Sequence, residues 1–361
     1  MLKKILLLSF LSVSTMLSAQ QVTFQEQVKF NPRKYVCYRT DEPVVIDGKI
    51  DGKEWENAPW TEYFKDIEGY RRELEPRYKT RAKMMWDDKY IYFAAYLEEP
   101  HVWATLTERE SVIFRDNDFE IFFDPNGDTH HYMEFEMNAF ATEWDLMLTR
   151  PYRDKGCRVL DNWNMNGVKS AVHVDGTIND GSDIDKGWSV EIAIPLDALI
   201  EPDGVKPASG AQWRVNFSRV EWFAKWNGES YDKIPNEYTG KTGNGAEDNW
   251  VWSPQGLVAM HLPETWGFVQ FSEKVVGQGT DEFVWNKNED VKWALRLLYF
   301  RMRELGEKAE SIDELRPEEV AVEGLEFKPE LRKTRSSWEI SVDGFDGKRV
   351  YIMSNGRTWI E

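Results

Sequence analysis

YMEFEMNAFATEWD, Tyr132–Asp145, is the stretch on which the reading of the fold turns. Met133, Phe135, Met137 and Ala139 alternate with Tyr132, Glu134, Glu136 and Asn138, the period of two of a strand with one apolar and one polar face. From about residue 34 to 272 similar short runs are separated by Gly, Asp, Asn and Pro, a texture of many strands rather than of helices. Further strands are predicted at Lys34–Arg39, Val44–Ile46, Thr80–Trp86, Tyr90–Leu97, Asp118–Phe123, Glu143–Leu148, Ser170–Val174, Trp188–Ile194, Gln212–Val220 and Gly267–Phe271. Tyr90–Leu97 is apolar on both faces, as a central strand covered on each side would be. No βαβ rhythm is present. The pattern therefore predicts an all-β domain, a two-sheet antiparallel β-sandwich.

Beyond about residue 280 the texture changes. Asn288, Glu289 and Asp290 read as a cap and acidic first turn, followed by Val291, Leu295, Leu298, Met302 and Leu305 at helical spacing, with Gly306 as the stop. Glu307–Glu330 reads as a charged surface connection, and Trp338–Val342 with Val350–Met353 as a small terminal β-hairpin. The sandwich is thus expected over residues 21–280. Residues 281–361 are expected as a helix plus hairpin that packs on it, having too few apolar positions to stand alone.

Residues 1–20 carry Lys3 and Lys4 ahead of an apolar run, Ile5–Leu17, and small residues before Gln20, the form of a secretory signal peptide. The run is shorter than the roughly 20 residues a membrane span needs. An exported protein, periplasmic or extracellular and not membrane-spanning, is the expectation. The chain has 361 residues with 45 Lys+Arg against 63 Asp+Glu, a net charge of −18 that repels a phosphate backbone, so nucleic acid is not an expected partner. The two Cys are too few for a disulfide framework; in an exported chain Cys37 and Cys157 either pair or stay as two thiols. His130 and His131 are adjacent, would face opposite ways in a strand, and make a poor joint zinc site. The 17 Trp are the compositional outlier.

Seven segments in order carry a family resemblance: IDGKIDGKEWENAPW (Ile46–Trp60), MMWDDKYIYFAAYLEE (Met84–Glu99), DNDFEIFFDPNGD (Asp116–Asp128), YMEFEMNAFATEWD (Tyr132–Asp145), GWSVEIAIPLDAL (Gly187–Leu199), WRVNFSRVEW (Trp213–Trp222) and WGFVQF (Trp266–Phe271). Together they resemble the family 9 carbohydrate-binding modules, DOMON-like sandwich domains found on secreted xylanases and in bacterial exported proteins. The resemblance implies a sandwich with one calcium or more and a cleft in which two Trp rings clamp a terminal sugar.

Sugars present hydroxyls at the edge and C–H patches on the ring faces, so a site needs flat aromatic surface and convergent polar groups. Trp103, Trp144, Trp163, Trp222, Trp226 and Trp250 fall in predicted loops or strand ends, where binding residues concentrate. By analogy with the family clamp, Trp103 is expected to pair with Trp222 or Trp226. Glu120, Glu136 and Asn138 on polar strand faces, and Arg219 with its fork of donors, are the expected polar partners; the competing reading is a solvated face with pairs such as Arg219 with Glu120. Asp124, Asn126 and Asp128, around Gly127, have the alternation that calcium loops use and are the expected metal ligands, against an ordinary hairpin turn.

The favoured function is a secreted non-catalytic protein that binds an oligo- or polysaccharide during its capture or breakdown, alongside a separate glycoside hydrolase. One alternative is a glycoside hydrolase. Glu134 and Glu136, two apart on a strand, have backbones about 6.8 Å apart, within the roughly 6.5–9.5 Å of an inverting pair. The other alternative is an exported scaffold whose Trp residues meet a protein partner. No organic cofactor is expected.

Overall fold

A computed structural model describes residues 28–199 and 205–361; the predicted signal peptide, residues 1–20, lies outside the described residues. The chain divides into two compact units, one spanning Asn31–Val284 and the other comprising Trp285–Glu361 with residues 28–30, so the division falls at 284/285 rather than at 280/281.

The first unit contains β1 (Lys34–Arg39), β2 (Lys65–Asp66), β3 (Thr80–Trp86), β4 (Tyr90–Glu98), β5 (Asp118–Asp124), β6 (Tyr132–Asn138), β7 (Glu143–Leu148), β8 (Val159–Leu160), β9 (Lys169–Asp175), β10 (Gly187–Pro195), β11 (Gln212–Glu221), β12 (Ala224–Trp226), β13 (Tyr231–Lys233), β14 (Asp248–Val251) and β15 (Gly267–Val275). One sheet runs β8-β7-β6-β5-β11-β15-β1, with β14 beside β11, and the other runs β3-β4-β10-β9. They are continuous only where β1 touches β3, through Tyr38↔Met85 and Arg39↔Trp86. They pack face to face: Phe93 of β4 lies 5.5 Å from Phe123 of β5 and 5.8 Å from Phe217 of β11. This is the all-β sandwich that the alternation predicts. Its pairings are antiparallel except at β1, which runs parallel to both β15 and β3.

Alternation sets which side chains reach the core. Phe119, Ile121 and Phe123 of β5 and Met133, Phe135 and Met137 of β6 are buried between the sheets. β4 is the expected central strand: Ile91, Phe93, Ala95 and Leu97 enter the main core while Tyr92 and Ala94 join a second cluster around Trp55. Val44–Ile46 forms no strand; Val44 and Ile46 instead pack in that Trp55 cluster. The following turn is tied down by Glu191 of β10, which accepts N–H bonds from Asp47 (2.8 Å), Gly48 (2.9 Å) and Trp55 Nε1 (2.6 Å). Both thiols are free: Cys37 is in the sandwich core, and Cys157 Sγ donates to Arg150 O at 2.9 Å.

The second unit is a helix, α1 (Asn288–Glu304), over a four-stranded sheet ordered β16 (Glu330–Lys333), β17 (Trp338–Asp343), β18 (Arg349–Met353) and β19 (Thr358–Ile360). The predicted hairpin is its centre, extended by one strand on each side. Val291, Leu295, Leu298 and Met302 are buried against Ile340, Val342, Val350 and Ile352, as their spacing predicts. Leu305 is exposed, because the helix has ended there and Gly306 turns the chain at φ +64. No described helix is long and apolar enough to cross a membrane.

Candidate functional site

The polar face of β5 and β6 is not solvated. Glu120, Glu134 and Glu136 are 3%, 4% and 1% exposed. Register explains their convergence: Trp144 of β7 lies opposite Glu136 of β6, Glu136 opposite Glu120 of β5, and Glu120 opposite Ser218 of β11. Directly opposed residues share a face with Cβ atoms about 4.5–5.5 Å apart, so four strands line up an indole, two carboxyls and a hydroxyl. Loops close over this row and leave a pocket of about 130 Å³, to which Tyr152, Glu247, Asn249 and His261 also contribute.

The carboxyls lie too close together, and too far from water, to ionise normally. Burial pushes Glu120 up to about 7. Burial and then the neighbouring Glu120 raise both Glu134 and Glu136 well above the usual carboxylate range, and the same two causes raise Asp118. Glu134 and Glu136, two apart on β6, lie side by side on this face. Burial, then the Arg153 guanidinium, holds His261 down to about 3, so its ring is neutral; Nδ1 is 3.1 Å from Tyr132 Oη and the ring packs edge-on to Tyr152 at 4.4 Å. The pocket thus offers hydroxyl groups a cluster of carboxyls beside two aromatic faces.

Residues 46–221 match the family described as carbohydrate family 9 binding domain-like. They form a carbohydrate family 9 binding domain-like module. A protein from Bacteroides uniformis ATCC 8492, with an inferred carbohydrate-binding role, matches the fold at TM-score 0.50 and 16% identity, covering 67% of this chain and all of its own. A family 9 module from Caldicellulosiruptor kristjanssonii, solved with cellotriose, aligns at TM-score 0.40 and 17% identity over 69% of this chain and 99% of its own. No curated protein sequence matches. The module supplies Glu120, Glu134, Glu136 and Trp144, whereas Glu247, Asn249 and His261 come from beyond the matched span.

Of the expected sugar-binding residues, only Glu120 and Glu136 line this pocket, joined by Trp144 from the strand-end Trp set and by Glu134 from the alternative hydrolase pair. Trp103 and Trp222 are 4% and 6% exposed, buried together with Val220 and Ala246, which corrects the expected clamp. Trp222 Nε1 donates to Phe114 O at 2.9 Å, and Lys233 Nζ covers its ring at 3.4 Å, so neither edge nor face is open to a sugar. Trp226, half-buried on β12, packs at 5.2 Å against Tyr231 and lines no part of the pocket. Arg219 is fully buried on the opposite face of β11 from Ser218; it pairs with Glu99 (2.6 Å) and Glu221 (2.8 Å), not with Glu120 or a ligand. Asn138 Nδ2 donates to Leu106 O and Asp116, and its Oδ1 accepts from Phe140 and Thr142, making it the brace of the β6–β7 turn.

The residues of the expected calcium loop hold their own turn. Asp124 Oδ2 accepts from Thr129 N–H, Asn126 Oδ1 from Asp128 N–H, and Asp128 Oδ1 from His130 N–H. That is the work of a hairpin connection. Trp144, one of the strand-end Trp residues picked out in the sequence, is fixed opposite Glu136 by the turn at Ala139–Thr142. Tyr152 and His261 arrive from separate loops and Asn249 from the short strand β14, and none carries a local signal.

Proposed function

We propose that this chain is an exported, non-catalytic carbohydrate-binding protein whose family 9 module receives one sugar unit in the acidic pocket. The observation that carries this reading is the union, in one pocket, of the Trp144 and Tyr152 rings with the carboxyls of Glu120, Glu134 and Glu136. Stacking on the rings and hydroxyl contacts to the carboxyls are the two halves of sugar recognition. At about 130 Å³ the pocket is well below the roughly 300–1,000 Å³ typical of sites for drug-sized ligands, which favours a chain end or a single unit over an internal segment. Export rests on the amino-terminal sequence, with Lys3 and Lys4 ahead of an apolar run. A separate glycoside hydrolase would then act on the captured polysaccharide.

A hydrolase reading of Glu134 and Glu136 has poor geometry. Both sit side by side on one face of one strand and line the same wall of the pocket, whereas glycosidases set the pair on either side of the scissile bond. The test is calorimetric titration with plant and host oligosaccharides and their reduced forms, with a parallel assay for released sugar. Binding without product, weakened in Trp144→Ala, is the expected result. Absence of binding to every sugar, or unchanged affinity in that variant, would overturn the site; released sugar would restore the hydrolase reading.

A further inference from the structure

We infer that the outer face of the β3-β4-β10-β9 sheet carries a second saccharide site, one that takes a carboxylate-bearing sugar, a uronate unit of an acidic oligosaccharide. It lies on the other sheet from the acidic pocket and does not rest on that pocket. Register builds it: Arg81 of β3 lies opposite Tyr96 of β4, Tyr96 opposite Ser189 of β10, and Ser189 opposite His173 of β9. Directly opposed residues share a face, so four strands align a guanidinium, a phenol, a hydroxyl and an imidazole. Their strand neighbours Ala82, Ala95 and Val190 fill the sandwich core, so this row faces outward. Trp60 and the turn residues 49–51 wall the row into a cavity of about 390 Å³, within the roughly 300–1,000 Å³ of small-molecule sites. That turn follows the N–H groups held by Glu191, so the wall is fixed to the sheet.

The charge on this face selects an anion. Lys79, Arg81 and Lys83 alternate along β3 and the residue before it, and among the described residues none of them forms an ion pair, in a chain of net charge −18. Asp51 is the one carboxylate lining the cavity. Arg81 is held without being neutralised: its guanidinium stacks over Trp60 at 4.1 Å and Tyr63 at 5.3 Å, and its side chain donates to no described residue. A planar fork fixed by aromatic stacking matches a carboxylate bidentately, and being prepositioned it loses little freedom on binding. Arg81 and Tyr96 also line an adjoining cavity of about 400 Å³, where Lys79 and Lys186 balance Glu98 and Asp185, so a chain of more than one unit can lie along the sheet. The acidic pocket suits the same ligand poorly, since among the described residues four Glu and no Lys or Arg line it. The Tyr96 ring and the polar row supply the flat surface and hydroxyl contacts that a sugar requires.

The full chain is titrated calorimetrically with trigalacturonate and with its methyl ester, at low and at raised sodium chloride. Trigalacturonate should bind, and its affinity should fall with salt, because the contact is a charge pair at a half-buried site. The methyl ester keeps the shape without the charge and should bind about tenfold or more weakly; Arg81→Met should lose the same factor, since a charged bidentate contact is worth at least one tenfold step. Arg81→Lys keeps the charge but not the fork and should also weaken binding. Lys49→Ala, at an exposed position, should weaken binding with no change in melting temperature, which separates the effect from a folding defect. No binding of trigalacturonate would overturn the site, as would equal affinity for the ester or unchanged affinity in Arg81→Met. Trp144→Ala should keep trigalacturonate binding; its loss there would place the anion in the acidic pocket and overturn this site. Neutral oligosaccharides titrated into Arg81→Met read the acidic pocket by itself, so failure of one proposal leaves the other standing.

Discussion

Trp144 stands directly opposite Glu136 in the β6–β7 ladder, so an indole and a buried carboxyl form one wall of the pocket from adjacent strands. Both positions are set by backbone pairing rather than by a mobile loop, which gives a ligand a preorganised corner.

Trp144 is half-buried, and its removal should therefore act on binding. Trp144→Ala is expected to weaken sugar affinity about tenfold or more with little change in melting temperature. Trp222→Ala should do the reverse: its ring is 6% exposed and packed with Trp103, and its loss should cost about 3–5 kcal/mol. Calorimetric titration and urea unfolding of the two variants separate the effects.

Arg219 neutralises two buried carboxylates, Glu99 and Glu221, and also donates to Thr80 Oγ1 and Glu98 O. Arg219→Met leaves Glu99 without its cation and Glu221 with Arg77 alone, at 3.5 Å, a loss of about 3–5 kcal/mol. Urea unfolding should show this at neutral pH whether or not sugar is present.

Lys83 is held down to about 8 by burial and then by Arg81, while its Nζ donates to Trp55 O. Between pH 8 and the ordinary value of 10.5 the unfolded chain holds a proton on Lys83 that the folded chain has lost. Stability from this group therefore rises with pH across that window and is constant above it. Comparing the pH dependence of unfolding in wild type and Lys83→Met should show one fewer proton released on folding in the variant; identical slopes would refute the shift.

Gly48 has φ +86, and a Cβ there would sit 2.4 Å from the Val172 carbonyl carbon. Gly48→Ala combines left-handed strain with a backbone clash and should cost at least about 2 kcal/mol, measured by urea unfolding. It would also loosen the N–H contact to Glu191.

The strands were legible because each long one alternates or runs apolar for its full length, as β6 and β4 do. Val44–Ile46 misled because apolar residues near a sheet look alike whether they pair or merely pack; these pack around Trp55. In the site, Glu120 and Glu136 were legible from the polar face they share. Arg219 was misread because one residue of register separates the face of Ser218 from the face that meets Glu99. Trp103 and Trp222 were misread because loop position suggests exposure, and only the packing of β11's end against the 102–104 segment shows otherwise.

Local periodicity, turn residues and ordered motifs were enough to specify strands, their two faces, the carboxy-terminal helix and the family of the module, since each depends on neighbours a few residues apart. Which Trp rings lie open, where Arg219 finds its counter-charges, and that Asp118, Glu120, Glu136 and Ser218 converge in one buried place depended on contacts between residues up to about a hundred positions apart. Burial and electrostatic neighbourhood are properties of that long-range packing, and no stretch of sequence contains them.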